Sequence, residues 1–108
     1  TYVDNLCLCI IKIIKTIHRN RYAKKYYGIY NYSDTGKPIS RYLFSKYFFW
    51  LIKKNDQVIK KISYKDFYLK NIRPINSTLS SKKIYDTFNI KPLNWKKSIN
   101  RFVRKDFL

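Results

Sequence analysis

The sequence predicts a mixed α/β fold with three main helices, one shorter helix and about two short strands. Three observations carry this. Apolar residues recur at spacings of three and four in residues 3–17, 42–51 and 95–103, the period of amphipathic helices. Residues 26–32 alternate as a strand does and run into the turn-forming set Ser33-Asp34-Thr35-Gly36. Residues 80–92 read as a short capped helix that Asn89 and Pro92 bring to a stop.

In chain order, Thr1-Tyr2-Val3-Asp4 resembles a capping box with Asp in place of the usual Glu, opening a helix through about His18. Val3, Leu6, Cys7, Ile10, Ile13, Ile14 and Ile17 predict a buried face. The further apolar residues Leu8, Cys9 and Ile11 predict burial on more than one side, against more surface than the rest of the chain easily offers. Residues 19–25 form a basic connector to the first strand. Ser40 caps a helix carrying Tyr42, Leu43, Phe44, Tyr47, Phe48 and Leu51. Asn55-Asp56 turns the chain into a short second strand over 58–63. Pro74 holds Arg73 extended. Ser80 or Ser81 then caps the short helix over 82–88, with Ile84, Tyr85 and Phe88 on one side. Asn89 takes the left-handed position after it, and Asn94 caps a last helix with the stripe Trp95, Ile99, Phe102 and Val103.

Composition bounds the function. The 24 Lys and Arg residues against six Asp give a net charge of +18, ordinarily a sign of nucleic acid or an anionic surface. Here the bases are spread along the chain, Glu is missing, Ala23 is the only alanine, and 18 Lys stand with 15 Ile and 11 Tyr. That is the usage expected of A/T-rich codons, so composition leaves open whether the charge is functional or codon-bias drift, and a dedicated nucleic-acid partner is not expected. Cys7 and Cys9 lie on different faces of one helix, cannot bridge, and read as buried thiols of a reducing compartment. With His18 alone, no zinc set forms. The apolar run 6–14 is too short for a membrane span and carries Lys12, so a cytoplasmic location without a membrane partner is expected. The start at Thr1, directly in a helix pattern, reads as a fragment.

Arg73-Pro74, Asn76-Ser77, Leu79 opening a small helix, a Lys within it, Phe88 before the turn, and Trp95 leading a closing amphipathic helix form an ordered set. This set resembles the C-terminus of the dTDP-4-dehydrorhamnose reductases, extended members of the short-chain dehydrogenase/reductase superfamily. Gly28-Ile29-Tyr30-Asn31-Tyr32 is similar to that family's Gly-hydrophobic-Tyr strand. Ser40, Tyr42, Phe44, Ser45 and Lys46 are similar to its Ser–aromatic–Phe-Ala-Lys helix, with Ser for Ala. Thr1-x-x-Asp4 matches the helix that follows the Rossmann core and packs on it. Before Arg73 the chain departs from the family: Tyr68-Leu69-Lys70-Asn71 stands where a Pro-Thr-Pro-Ala run is usual.

The resemblance implies that residues 1–108 are the C-terminal substrate-binding portion of a Rossmann-type NAD(P)-binding reductase whose N-terminal dinucleotide-binding part is absent. The intact enzyme would use NADPH to reduce dTDP-4-dehydro-L-rhamnose to dTDP-L-rhamnose. It also implies a homodimer and possible Mg dependence, although no ligand set for Mg is visible. A dinucleotide site needs a Gly-rich strand-to-helix turn, and Gly28 and Gly36 belong to none. Tyr42 and Lys46 match the superfamily's Tyr-x-x-x-Lys formally, yet they fall in the substrate-side helix, where Tyr42 reads as a packing aromatic. The segment alone is therefore expected to be inactive and to hold no catalytic residue, no cofactor-binding residue and no metal ligand.

Its expected contribution is to the pocket for the dTDP-sugar. Arg73 either grips the diphosphate through charge-assisted hydrogen bonds or pairs locally and pins the loop. Asn76 and Ser77 either bind substrate or shape a turn. Phe88 and Trp95 read as core. Alternatives are another nucleotide-sugar reductase or epimerase, including the non-catalytic adenosyltransferase-regulating relatives, and a small basic module for RNA or a membrane surface.

Overall fold

A computed structural model describes residues 1–20, 23–63, 74 and 76–107. The four expected helices are present: α1 (Val3–Arg19), α2 (Arg41–Leu51), the short α3 (Lys82–Phe88) and α4 (Trp95–Asp106), with a 3₁₀ turn at Ala23–Tyr26.

Local signals set most of the helix ends. The Ser40 side chain accepts from the Leu43 amide at 3.2 Å, and Asn94 Oδ1 accepts from the Lys96 amide at 2.9 Å. Asn89 sits left-handed at φ 51°, and its amide closes α3 on the Tyr85 carbonyl at 2.8 Å. The capping box at Thr1 is corrected. Tyr2 occupies the N-cap position and no side chain caps there, because the Tyr2 hydroxyl and Lys105 engage Asp4 instead, at 2.8 and 3.3 Å.

Neither expected strand forms. Among the described residues the only backbone pairing outside helices and turns is a parallel bridge between Thr35 and Asn94. Residues 26–32 alternate because Tyr26, Tyr30 and Tyr32 pack on a core of Cys9, Ile84, Phe88 and Ile90, while Tyr27 and Ile29 face solvent. The alternation therefore records one-sided side-chain packing. The Ile29 carbonyl takes the Lys83 ammonium at 2.9 Å, and Ser33 exchanges two hydrogen bonds with the Ser81 hydroxyl. Residues 58–62 make no backbone pairing among the described residues, and Val58 is 98% exposed.

Two apolar centres result. The first joins α1 to α3, where Phe88 is 5% exposed, stacks on Tyr26 and meets Tyr30 edge-on, with ring centroids 5.4 and 5.2 Å away. The second joins α2 to α4 through Tyr47, Phe48, Trp95, Phe102 and Phe107, with Ile99 and Val103 buried beneath. A buried polar contact ties α1 to α4: the Asn5 amide donates to the Ser98 hydroxyl at 2.9 Å. Tyr85, expected inside, is exposed, as is Cys7, whereas Cys9 is buried.

The face of α1 actually buried is Asn5 and Cys9, flanked by half-buried Ile13, Thr16 and Ile17. Val3, Cys7, Ile10 and Ile14, at spacings of four, three and four, stay exposed along the opposite side. Within this chain the expected burial of Val3, Cys7, Ile10 and Ile14 is thus corrected, because α3 and α4 reach only one side of α1. No described helix is long and apolar enough to cross a membrane.

Two predictions follow from this packing. Phe88→Ala removes the ring that Tyr26 and Tyr30 pack on, and is expected to cost about 3–5 kcal/mol in urea unfolding. Ile14→Ala, on the open side, is expected to change stability by no more than about 0.5 kcal/mol. The Tyr2–Asp4–Lys105 cluster gives stability a pH signature. Hydrogen bonds from Tyr2, then from Lys105, hold the Asp4 carboxyl below its ordinary range; the bond to Asp4 raises both Tyr2 and Lys105. The Asp4 contribution is present above about pH 4 and is lost as pH falls through its lowered value. The Tyr2 and Lys105 contributions are present below about pH 10 and are lost as pH rises through their raised values. Urea midpoints measured across this range should lose both limbs in Asp4→Asn relative to the parent.

Candidate functional site

The Thr35–Asn94 bridge places the turn at 33–39 beside the start of α4. The Thr35 amide donates to the Leu93 carbonyl at 2.8 Å, and the Trp95 amide donates back to the Thr35 carbonyl at 2.9 Å. Gly36 makes this approach possible. Its φ of +117° disfavours any side chain, and a Cβ there would stand 2.8 Å from Asn94 Nδ2 and 2.9 Å from Trp95 Cδ1. The Trp95 indole N–H then donates to the Lys37 carbonyl at 3.3 Å, while its ring packs edge-on to Tyr47 and tilts against Phe44.

Opposite this turn runs the segment 77–81, held by the Ser33–Ser81 pair and by the Ser33 hydroxyl donating to the Leu79 carbonyl at 3.1 Å. Between them opens a groove of about 910 Å³. Its walls combine hydroxyls (Ser33, Thr35, Ser77, Thr78, Ser80, Ser81), ammonium groups (Lys37, Lys82, Lys91) and the flat faces of Trp95 and Tyr85. Lys82 pairs with Asp86 one turn along α3, an exposed pair of small energetic weight. Asp34 also lines the groove, with Oδ2 accepting from the Tyr2 amide at 3.3 Å.

Hydroxyl donors bind ring hydroxyls, ammonium groups bind phosphate oxygens, and aromatic faces stack on a base or a sugar ring. With the apolar Pro38, Ile39, Phe44, Leu79 and Pro92 in the same lining, the groove offers both polar and apolar contacts. Of the residues singled out from sequence, Asn76 lies next to the groove. Its Oδ1 accepts from the Thr78 amide at 3.0 Å and from the Thr78 hydroxyl at 2.7 Å, an Asx turn that fixes how Ser77 and Thr78 are presented. Arg73, and the departure from the family pattern at 68–71, lie outside the described residues. Trp95 is half-buried: it packs on α2 and lines the groove at once, where the sequence suggested core alone. Thr1 lies at the groove instead of capping α1. Tyr42 and Lys46 form no acid–base pair; the Lys46 ammonium lies over the Tyr42 ring, 5.6 Å from its centroid.

Sequence reading missed the lysines of the groove, because in a chain with 18 of them none stands out. The signal that could have found the clamp is the turn glycine Gly36 set against an N-cap Asn followed by Trp. Among the described residues no three His, Cys, Asp or Glu side chains gather to hold a metal, so no residue is assigned to Mg.

A family model described as RmlD substrate binding domain matches residues 1–107. Comparisons with curated proteins and with solved structures give no match.

The clamp generates a further prediction. Gly36→Ala is strained by backbone conformation and by contact with Asn94 and Trp95, and is expected to cost about 1–3 kcal/mol. A parallel shift in Trp95 fluorescence, read in a Trp50→Phe background, would tie that loss to the groove. An unchanged spectrum with unchanged stability would count against the clamp.

Proposed function

The chain belongs to the RmlD substrate binding domain family, and on that footing we propose that it forms the sugar-nucleotide side of a dTDP-4-dehydrorhamnose reductase. The family places it in a dTDP-sugar reductase context, an oxidoreductase-type relationship. The finer reading is NADPH-dependent reduction of dTDP-4-dehydro-L-rhamnose to dTDP-L-rhamnose in the cytoplasm, by a homodimeric enzyme of which residues 1–108 are the C-terminal portion. The observation that carries it is the groove, where hydroxyls, lysines and aromatic faces converge between the 33–39 turn and segment 77–81.

In this reading the chain's own residues bind and orient. Lys37, Lys82 and Lys91 attract the diphosphate, and Arg73, known here from its sequence position alone, is assigned to the same group for the chemistry of its guanidinium fork. Asn76 serves the substrate side by holding Ser77 and Thr78 toward the sugar. Trp95 and Tyr85 offer planar surfaces to the thymine. NADPH supplies the hydride when bound to the N-terminal part; the residues here form no dinucleotide cradle, since neither Gly28 nor Gly36 belongs to a Gly-rich strand-to-helix turn. The catalytic Tyr and Lys are assigned to that same part, which leaves this segment inactive by itself. The exposed stripe Val3, Cys7, Ile10 and Ile14 is the surface we assign to contact with it.

The test is a titration of the chain with dTDP at constant ionic strength, followed by Trp95 fluorescence in the Trp50→Phe background. Saturable quenching is expected, weakened about 10-fold or more in Arg73→Gln, the scale of a charge-assisted hydrogen bond. Asn76→Ala is expected to weaken dTDP-L-rhamnose more than dTDP, because Ser77 and Thr78 face the sugar. A response to dTDP no different from that to added chloride would sink the reading.

A further inference from the structure

A second, smaller depression of about 230 Å³ lies between α1, the connector at 90–93 and α4. Three cations from three separate elements line it: Lys12 of α1, Lys91 of the connector and Arg101 of α4. Among the described residues no carboxylate lines it, and Leu8, Cys9, Ile90 and Leu93 make the rest of its wall apolar.

Each cation has a cause for its position. The Lys12 ammonium donates to the Asn89 carbonyl at 3.0 Å, at the left-handed residue that ends α3. Arg101 Nη1 donates to Asn5 Oδ1 at 3.4 Å, and Asn5 is only 6% exposed, its own amide bound to Ser98. Lys91 stands between buried Ile90 and buried Pro92, which fix the connector on either side. The two ion pairs among the described residues, Lys82–Asp86 and Lys105–Asp4, use other cations. Asp4, the acidic group of α1, is already held by Tyr2 and Lys105, and Arg101 lowers it only as a minor influence. Tyr32, also in the lining, is kept protonated by burial and so can offer its hydroxyl as a donor.

Three like charges brought together around a buried amide repel one another, and a multivalent anion relieves that repulsion. The guanidinium fork suits two oxygens of one tetrahedral anion, with the ammonium groups as point charges beside it. We propose that Lys12, Lys91 and Arg101 form a site for a phosphate-class dianion, either free phosphate or the phosphoryl end of a small monoester. The site lies on the side of α1 opposite Val3, Cys7, Ile10 and Ile14, so a partner on that apolar stripe leaves it open. Among the described residues only Lys91 borders both this depression and the groove, so Lys12 and Arg101 separate the two.

The test titrates the full 108-residue chain with inorganic phosphate, and in a second arm with glycerol phosphate, by two-dimensional NMR. Sodium chloride holds the ionic strength constant. Saturable shifts are expected at the amides around Lys12, Lys91 and Arg101, together with a phosphate-dependent rise in Tm. Arg101→Gln should weaken binding about 10-fold or more, with partial recovery in Arg101→Lys, and Lys12→Gln should weaken it severalfold. Lys60→Gln, an equal loss of charge far along the chain, should leave it unchanged. Binding of phosphate alone assigns the site to the free anion; competition by glycerol phosphate assigns it to monoesters as well. Equal weakening in all three glutamine variants, or shifts that do not saturate, would overturn the proposal as general screening of a +18 chain. Shifts confined to the groove, with displacement of dTDP, would overturn it while leaving the groove reading intact. If Arg101→Gln does not fold, the shift map of the parent chain decides.

Discussion

The groove depends on one close approach, that of the Gly36 backbone to Asn94 and Trp95. Two backbone hydrogen bonds around Thr35 hold the 33–39 turn against the start of α4, and only a residue without a side chain fits between them. Asn94 serves twice, capping α4 through its side chain and pairing with Thr35 through its backbone. Trp95 also serves twice, packing on α2 and lining the groove. A clamp with shared residues couples α4 stability to groove shape, so a loss at either end is felt at the other.

The second wall is held by hydroxyls instead of backbone ladders. Ser33 and Ser81 exchange two hydrogen bonds across the gap, and Ser33 adds a third to Leu79. Net contributions of this kind are about 1 kcal/mol each. Such a wall is adequate to shape a site yet yields more readily than a strand pair would.

What the sequence made legible follows the range of each interaction. Ser40, Asn89 and Asn94 set helix ends by contacts within four residues, so their spacing alone located α2, α3 and α4. The strands were misread because a strand is defined by its neighbour, and the alternation of 26–32 cannot say whether its inward side chains meet a sheet or a helix pair. Cys7 and Cys9 differ for the same reason: helical period puts them on separate faces, but only tertiary packing decides which face α3 and α4 cover. Asn76 was legible as a turn former, since an Asx turn is local. The three lysines of the groove were not, since nothing in their local sequence sets them apart from the other fifteen.

The excess hydrophobicity of α1 and the excess charge of the chain bear on one question from opposite sides. A helix with Val3, Ile10, Ile11 and Ile14 at 47–61% exposure leaves apolar surface in water, while the exposed Leu8 borders the depression on the other side. Burying the half that remains exposed gains about 1 kcal/mol for each such side chain. The same helix carries Lys12 on its other side, toward a depression where, among the described residues, cations meet without a carboxylate. The two faces therefore ask for different partners, an apolar layer on one and an anion on the other. In the reductase reading the apolar layer is the dinucleotide-binding part, and docking it would fix α1 from behind. A fixed α1 holds Asn5, and through Asn5 both Ser98 and Arg101, so the apolar contact would also set the geometry of the cationic face.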